Sequence, residues 1–316
     1  MYRLIRFYNQ NRKKILIIML IIVFIFGIIQ LLNYFSKSKI AKEDKQNTMI
    51  SDNTEIDQSV ISSKSLISGQ NVSTTKLKSE TDLIDEFIKY CNNRDVNSAY
   101  EILSDECKEV MFPTEEDFNN NYYMNLFNEY KTYTIENWSG STYQVRFTGD
   151  ILSTGNLNEN VTKQDYITIV QNQGKDKLNI NNYVGRKTLN KVTEGNKTKI
   201  IIKNIDTYID YEIYDLDVQN NTENTILLDP NDDTKSIYLE DSKGMKYYFY
   251  NNEIVKNRLI VKSKFTNNLK IKFSNSYSSS RKISSLVFSK FVLNYDEYKD
   301  LENKEEYKFN QFRVDV

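Results

Sequence analysis

An unbroken apolar segment near the N-terminus places the strongest constraint on this chain. Residues 15–32 have the sequence ILIIMLIIVFIFGIIQLL, which carries no charge and only one strongly polar residue, Gln30. A helix rises about 1.5 Å per residue, so this segment and the three residues after it would span a hydrocarbon core of roughly 30 Å. Soluble cores rarely need an apolar run this long and uniform. Residues 15–35 are therefore predicted to form a transmembrane helix.

The charges on either side of this segment predict its orientation. The tail 1–14 holds only basic charges, whereas acids are interspersed with the lysines that follow the segment. The positive-inside rule then favours a signal-anchor at the cell membrane, with a cytoplasmic N-terminus and extracytoplasmic C-terminal domains. A cleaved signal peptide is the alternative, but it would have a shorter apolar core and a small-residue cleavage site, and none follows Leu32.

Composition excludes several classes of site. The chain has no histidine, which removes Ser-His-Asp and Cys-His catalysis and every histidine-ligated metal site. Its two cysteines exclude a disulfide framework. A net charge of −1 gives no global field that would attract nucleic acid. We expect no cofactor and no nucleic-acid partner.

The next two regions differ sharply in pattern. Residues 36–78 are rich in Ser, Thr, Asn, Lys and Asp and show no sustained apolar period, so they are predicted to be a flexible linker. Residues 79–190 are predicted to be an α+β domain with its helices on one face of a sheet. Amphipathic periods predict helices over 79–92 and 96–111, and alternating segments predict strands over 132–136, 143–152, 165–171 and 177–184.

Two phrases in this domain resemble a known superfamily. Residues 86–95 (EFIKYCNNRD) and 99–104 (AYEILS) are similar to the opening helices of NTF2-like domains. The resemblance covers residues 79–189 and implies a curved sheet that forms a cone, without implying any particular chemistry. A short tail, one span and such a domain also resemble the VirB8-like components of conjugation and secretion systems.

The two cysteines lie on the apolar faces of consecutive predicted helices. In a hairpin that turns near Arg94, Cys91 lies beside the turn and Cys107 lies three turns away. Their offset along the helix axis is then on the order of 10 Å, too far for a disulfide. Both are predicted to be buried, reduced thiols.

Residues 198–316 are predicted to be an all-β sandwich. Short alternating segments are separated by turn signals such as Asn220-Asn221 and Asn267-Asn268, with almost no helical period. Residues 236–247 (SIYLEDSKGMKY) resemble Ig-like accessory domains of Gram-positive cell-surface proteins, in which a strand, an Asp-x-x-Gly hairpin and an aromatic strand recur.

One loop of the second domain has the spacing of a calcium site. Asp229, Asn231, Asp233 and Glu240 match the first, third, fifth and twelfth positions of an EF-hand loop, whose oxygen ligands suit Ca²⁺. Thr234 occupies the position that needs glycine, and the flanking segments are strand-like rather than helical. A polar β-turn is therefore favoured over a metal site.

Charge is distributed unevenly within the second domain. Between residues 205 and 241 there are eleven acids and one base, whereas residues 254–295 hold nine bases and no acid. These blocks either pair across neighbouring strands or leave a basic face for an anionic cell-wall polymer or lipid headgroups. The candidate binding residues for the second hypothesis are Lys256, Lys262, Lys264, Lys270, Lys272 and Lys282.

Together these patterns favour a non-enzymatic function. We expect a membrane-anchored extracytoplasmic interaction or scaffold protein, a component of a conjugation or secretion assembly or a binder of cell-wall polymer. Its expected partners are the membrane, other envelope or assembly proteins and an anionic polymer. The alternative is an extracytoplasmic glycan-directed hydrolase that uses a carboxylate pair, because that chemistry needs no histidine.

Overall fold

The computed structural model describes residues 60–62, 65–67, 69, 73–149, 162–230, 235–248, 258–277 and 281–316. The chain from Asp57 to Val316 forms one compact unit. Its helices are α1 (Thr74–Asn92), α2 (Val96–Glu101), α3 (Asp105–Met111), α4 (Glu115–Phe118), α5 (Met124–Leu126) and α6 (Tyr295–Asp300), with a π-helical turn at Asn119–Tyr123 and a 3₁₀ turn at Lys304–Glu306.

The strands make up most of the regular structure. They are β1 (Val60–Ser62), β2 (Lys131–Ser139), β3 (Thr142–Gly149), β4 (Lys163–Asn172), β5 (Lys175–Asn179), β6 (Tyr183–Gly195), β7 (Thr198–Tyr208), β8 (Tyr211–Asn220), β9 (Ile226–Leu227), β10 (Ile237–Asp241), β11 (Lys246–Tyr248), β12 (Ile260–Val261), β13 (Thr266–Ser274), β14 (Ile283–Phe291) and β15 (Asn310–Asp315). They form a five-stranded sheet β1-β2-β3-β4-β5, two four-stranded sheets β13-β8-β7-β6 and β11-β10-β14-β15, and a pair β12-β9.

The helix predicted over residues 96–111 is interrupted. Between α2 and α3 the backbone pairs with β5, since the Leu178 amide donates to the Ile102 carbonyl and the Ser104 amide donates to the Leu178 carbonyl. The Ser104 hydroxyl then accepts the amide of Cys107 at 3.0 Å and caps α3. A serine followed by two acids is a helix-start signal that favours this second beginning.

Two apolar cores organise the described residues. The first lies between α1–α5 and the five-stranded sheet and is built on residues such as Phe87, Phe118 and Val145. The second lies between the two four-stranded sheets, where Leu216 on β8 and Phe288 on β14 belong to one buried cluster. Exclusion of this apolar surface from water is the main stabilising term of both halves.

The β6–β7 hairpin joins the two halves. Tyr183 and Tyr208 lie at its base and are buried in the first core, whereas Ile200 and Ile202 are buried in the second. The predicted domain boundary, residues 190–198, therefore falls inside a continuous hairpin. Because the same two strands contribute to both cores, disruption of one half should be transmitted to the other.

Part of the predicted linker has regular structure. Strand β1 pairs in parallel with β2, and the amides of Leu66 and Ile67 donate to the carbonyls of Asn137 and Trp138. Helix α1 begins at Thr74, five residues before the predicted start, after an N-cap at Ser73. Residues 36–59, like the tail 1–14 and the apolar segment 15–35, lie outside the described residues.

The structure corrects the predicted fold class. We expected a transmembrane helix, an NTF2-like α+β cone domain and an Ig-like all-β sandwich, whereas the described part of the chain is dominated by strands in several antiparallel sheets. Among those residues, no helix is both long and apolar enough to span a bilayer. The expectation of a single-pass, signal-anchored protein of the cell membrane is therefore not supported by the described residues, which do not include the segment 15–35. An apolar segment has the composition that a transmembrane helix requires, but composition alone does not establish that such a helix forms.

Both cysteines are buried free thiols in the first core. Burial raises the pKa of the Cys107 thiol to about 12 and raises that of Cys91 as well. Because the thiolate is the reactive form, iodoacetamide should label both at least about a hundredfold more slowly in the native protein than in urea. Mass spectrometry of the two peptides over time measures this. Equal labelling rates in the two conditions would contradict the burial.

Candidate functional site

Of the four calcium candidates, the structure describes Asp229 and Glu240. Asp229 is buried, and Glu240 on β10 forms an ion pair with Arg313 on β15 at 2.8 Å. Asn231 and Asp233 lie outside the described residues. Within the described ranges, no group of three or more acidic or cysteine side chains could hold a metal ion. The calcium hypothesis gains no support from this geometry.

Acids of the block 205–241 take part in local ion pairs. Their partners come from several strands and loops, and some of them lie outside the basic block 254–295. The pairs are Arg186–Asp206 at 2.7 Å, Lys203–Asp215 at 3.1 Å, Lys203–Asp217 at 3.3 Å, Arg281–Glu212 at 2.9 Å and Lys264–Glu223 at 2.6 Å. Much of the apparent charge asymmetry is therefore cancelled within the fold.

The five candidate lysines that the structure describes do not form one basic face. Lys256 lies outside the described residues. Lys270 is opposite Asp215 in the β13–β8 register, and the Lys272 ammonium lies 4.1 Å from the Tyr211 ring centroid. Lys282 is exposed at the start of β14. That leaves Lys262 and Lys264, which lie close together in the turn before β13.

Those two lysines belong to a surface that we call the loop end, made of residues 195–198, 220–224 and 262–265. Asn196 and Lys197 both have positive φ, 50° and 56°, as a tight two-residue hairpin requires. The Asn221 amide donates to the Lys197 carbonyl at 2.9 Å, and the Lys264 ammonium donates to the Asn221 carbonyl at 3.0 Å. These contacts tie the three turns into one arrangement.

The turn that carries Lys264 is fixed as well. The Phe265 amide donates to the Lys262 carbonyl at 3.1 Å, and the Phe265 carbonyl accepts the Asn220 amide at 2.9 Å. The Ser263 hydroxyl donates to the Thr222 carbonyl at 2.7 Å. Although its backbone is held on both sides, the Phe265 side chain is 62% exposed. The loop end therefore presents an aromatic ring to solvent from a defined backbone.

The charge of the loop end is positive. Lys197 and Lys262 are exposed and have no ion pair with any described residue. Lys264 is paired with Glu223, and this ammonium lowers the pKa of the Glu223 carboxyl. Three ammonium groups and one carboxylate leave an excess of two positive charges on the loop end.

Sequence analysis identified only part of this surface. It selected Lys262 and Lys264 but missed Lys197 and Phe265, because nothing in the sequence shows that residue 197 meets residues 221 and 264. An apolar aromatic residue within the polar run Lys262-Ser263-Lys264 was the available signal for Phe265. Outside a core, such a residue is often part of a contact surface.

Three aromatic residues of β2 and β3, Tyr133, Trp138 and Tyr143, lie in different environments. Tyr143 is fully buried and donates its hydroxyl to Glu80, and Tyr133 donates to Asp85 at 2.8 Å. The Trp138 ring instead packs edge-to-face on Tyr166, with centroids 5.0 Å apart. These residues stabilise the fold and do not assemble a shared platform.

A second notable feature is a buried ion pair at the base of the β6–β7 hairpin. Arg186 and Asp206 are opposite each other in the strand register, and two guanidinium nitrogens contact the two carboxylate oxygens at 2.7 and 3.2 Å. A third guanidinium nitrogen donates to Glu109 on α3 at 2.8 Å. Hydrogen bonding to Asp206 raises the pKa of Arg186 further. We call this arrangement the Arg186 clamp.

Comparisons with known proteins assign no family. No family model matches the chain, and no curated protein matches it. Among solved structures, it is similar to the 2.2 Å crystal structure of a conserved hypothetical protein from Bacillus anthracis, with 10% identity over 42% of this chain and 96% of that one, at a TM-score of 0.26. A likeness this low supports no conclusion about fold or function. The NTF2-like, VirB8-like and Ig-like resemblances stay predictions.

Proposed function

We propose that this chain is a non-enzymatic binding protein that engages an anionic glycan polymer through the loop end. The observation that carries the proposal is the exposed Phe265, held by a fixed turn on a surface that also carries Lys197, Lys262 and Lys264. The proposal retains the polymer-binding hypothesis. It keeps Lys262 and Lys264 from the six candidate lysines and adds Lys197 and Phe265. It requires no membrane anchor and no assembly partner.

The chemistry of the loop end suits a polymer that has both rings and acidic groups. The C–H faces of sugar rings are apolar and pack well on an aromatic face. Carboxylate or phosphate groups along the polymer would pair with the two lysines that have no ion partner among the described residues. Exposed pairs of this kind are individually weak and sensitive to salt, so binding would depend on several contacts along the chain of the polymer.

The proposal can be tested with three probes on the full-length protein. Polygalacturonate supplies sugar rings and charge, polyglutamate supplies charge without rings, and dextran supplies rings without charge. We expect binding in the order polygalacturonate, polyglutamate, dextran, and we expect the first two to weaken steeply as salt is raised. Interferometry with each polymer immobilised gives the three affinities.

Two variants separate the contributions of charge and ring. Lys197→Glu/Lys262→Glu should weaken polygalacturonate binding at least about tenfold, since each lysine contributes roughly 1 kcal/mol near an anionic surface. Phe265→Ser should weaken polygalacturonate binding about 3- to 10-fold and leave polyglutamate binding unchanged. The matched control is Lys282→Glu/Lys308→Glu, which makes the same change in net charge at exposed lysines outside the loop end. Equal losses of polygalacturonate affinity in the two double variants would contradict the proposal.

A further inference from the structure

A cleft opens beside the Arg186 clamp and is separate from the loop end. Its volume is about 350 Å³, at the small end of the range for ligand pockets of roughly 300–1,000 Å³. The walls come from the N-terminus of α3, the end of β4, the start of β6 and the end of β7, with Tyr277 beyond β13. Several elements from both halves of the chain thus meet around one space.

The walls of the cleft are held in place by buried hydrogen bonds. Ser104 at the start of α3 bonds Asn179 on β5, and the Asn179 amide donates to the Val184 carbonyl on β6 at 2.8 Å. On the other side, the Arg186 clamp joins β6 to β7 and α3. A ligand entering this space would meet a largely preformed site.

The net charge of the cleft is close to zero. The Arg186 guanidinium is neutralised by Asp206 and Glu109. The remaining charged groups of the lining are Glu106 and Lys187, one of each sign, and both are exposed at its edge. Together these groups leave one net negative charge, and because the Glu109 side chain is 70% exposed, solvent screens it, so little charge is left to select a strongly anionic or cationic ligand.

The uncharged groups of the lining are better placed to select a ligand. The side chains of Asn172, Thr207 and Tyr277 make no hydrogen bond with any other described residue, so their amide and hydroxyl groups remain available. Val170 and Val184 supply apolar surface to the same lining. A lining with both uncharged polar groups and apolar side chains suits a molecule that has hydroxyls and C–H faces.

We infer that this cleft binds a small neutral polyhydroxylated ligand, such as a sugar of one or two rings. Asn172, Thr207 and Tyr277 would bond its hydroxyls, and Val170 and Val184 would contact its ring face. No residue of the loop end takes part, so this inference does not depend on the proposed polymer binding.

The test uses the full-length protein and a panel of small probes. Cellobiose, maltose, lactose and diacetylchitobiose represent neutral sugars, alanine represents a zwitterion, and inorganic phosphate represents an anion. We expect at least one sugar to give saturation-transfer NMR signals and a measurable Kd by calorimetry, and we expect alanine and phosphate to give neither. Binding of none of the sugars would overturn the inference.

Variants then locate the bound sugar. Thr207→Val and Asn172→Ala should each raise the Kd about 5- to 10-fold, the loss of one hydrogen bond. Val170→Trp should abolish binding by filling the cleft, and its fold is checked by circular dichroism. Thr134→Val, a similar change on β2 outside the cleft, should have no effect.

Variants that neutralise the two charged residues at the edge of the cleft test whether the ligand is neutral. Lys187→Met and Glu106→Gln should change the Kd less than about twofold, because a neutral sugar needs neither charge. A loss of tenfold or more in either variant would mean that charge recognition dominates, and it would overturn the assignment of a neutral ligand. Unchanged affinity in Thr207→Val, Asn172→Ala and Val170→Trp would place the sugar elsewhere and overturn the cleft itself.

Discussion

Replacing Phe118 with alanine is expected to lower the free energy of unfolding by about 4 kcal/mol, within the range of 3–5 kcal/mol that is typical for removing a buried aromatic ring. Phe118 is fully buried at the end of α4. Its ring stacks on Tyr122 at 5.7 Å and meets Phe112 edge-to-face at 5.6 Å. Alanine would leave a cavity at the centre of this aromatic cluster, and the rigid neighbours could close it only in part.

Urea unfolding measures this change, with matched variants as controls. Phe118→Leu keeps most of the volume and should cost less than about 1.5 kcal/mol. Phe265→Ala removes the same ring from an exposed position and should stay within about 0.5 kcal/mol of the parent protein. If Phe118→Ala and Phe265→Ala cost the same, the cluster is not the centre of the first core.

Arg186→Ala should destabilise the protein by about 3 kcal/mol, at the lower end of the cost of breaking a buried ion pair. The Arg186 side chain is 13% exposed and that of Asp206 is 4% exposed, so alanine would leave a carboxylate with little access to water. The Tyr183 hydroxyl, at 3.4 Å from Asp206, cannot replace the lost guanidinium contacts. Because β6 and β7 contribute to both cores, the loss should appear in the unfolding of both halves.

The controls separate burial from charge. Arg313→Ala breaks a pair in which the arginine side chain is 42% exposed, and it should cost less than about 1 kcal/mol. The double variant Arg186→Met/Asp206→Asn removes the stranded charge and should recover part of the stability that Arg186→Ala loses. A double variant less stable than Arg186→Ala would show that the packing of these side chains, rather than the unpaired charge, sets the cost.

Many strands of the second half could be predicted from local patterns, because the alternation of apolar and polar residues is a property of each strand's own sequence. The alternating segments of residues 198–316 predicted strands, and the structure has, for example, β7 at Thr198–Tyr208 and β10 at Ile237–Asp241. Helix α6 was missed because only six residues form it, too few for a helical period to be recognised. The break between α2 and α3 was missed because the pairing of residues 102–104 with β5 is a long-range contact.

The loop end and the cleft show more clearly that sequence patterns do not reveal long-range contacts. The sequence provided Lys262 and Lys264, but the ion partner of Lys264 is Glu223, and Lys197 and Asn221 belong to the same surface. The walls of the cleft come from segments near residues 104, 172, 186, 207 and 277. No spacing rule connects such positions, since each one is set by strand register and by the packing of the two cores.

The sequence by itself determined which side-chain chemistry this protein has, how its apolar residues are spaced and where its turns lie. The absence of histidine, the buried character of Cys91 and Cys107 and the strand-rich second half all follow from composition and local alternation. Only the tertiary structure decided which charges cancel and which remain exposed. The ion pairs of Asp206, Glu212 and Glu240 join residues that are far apart in the chain, and strand register and the packing of the two cores fix the distances between them.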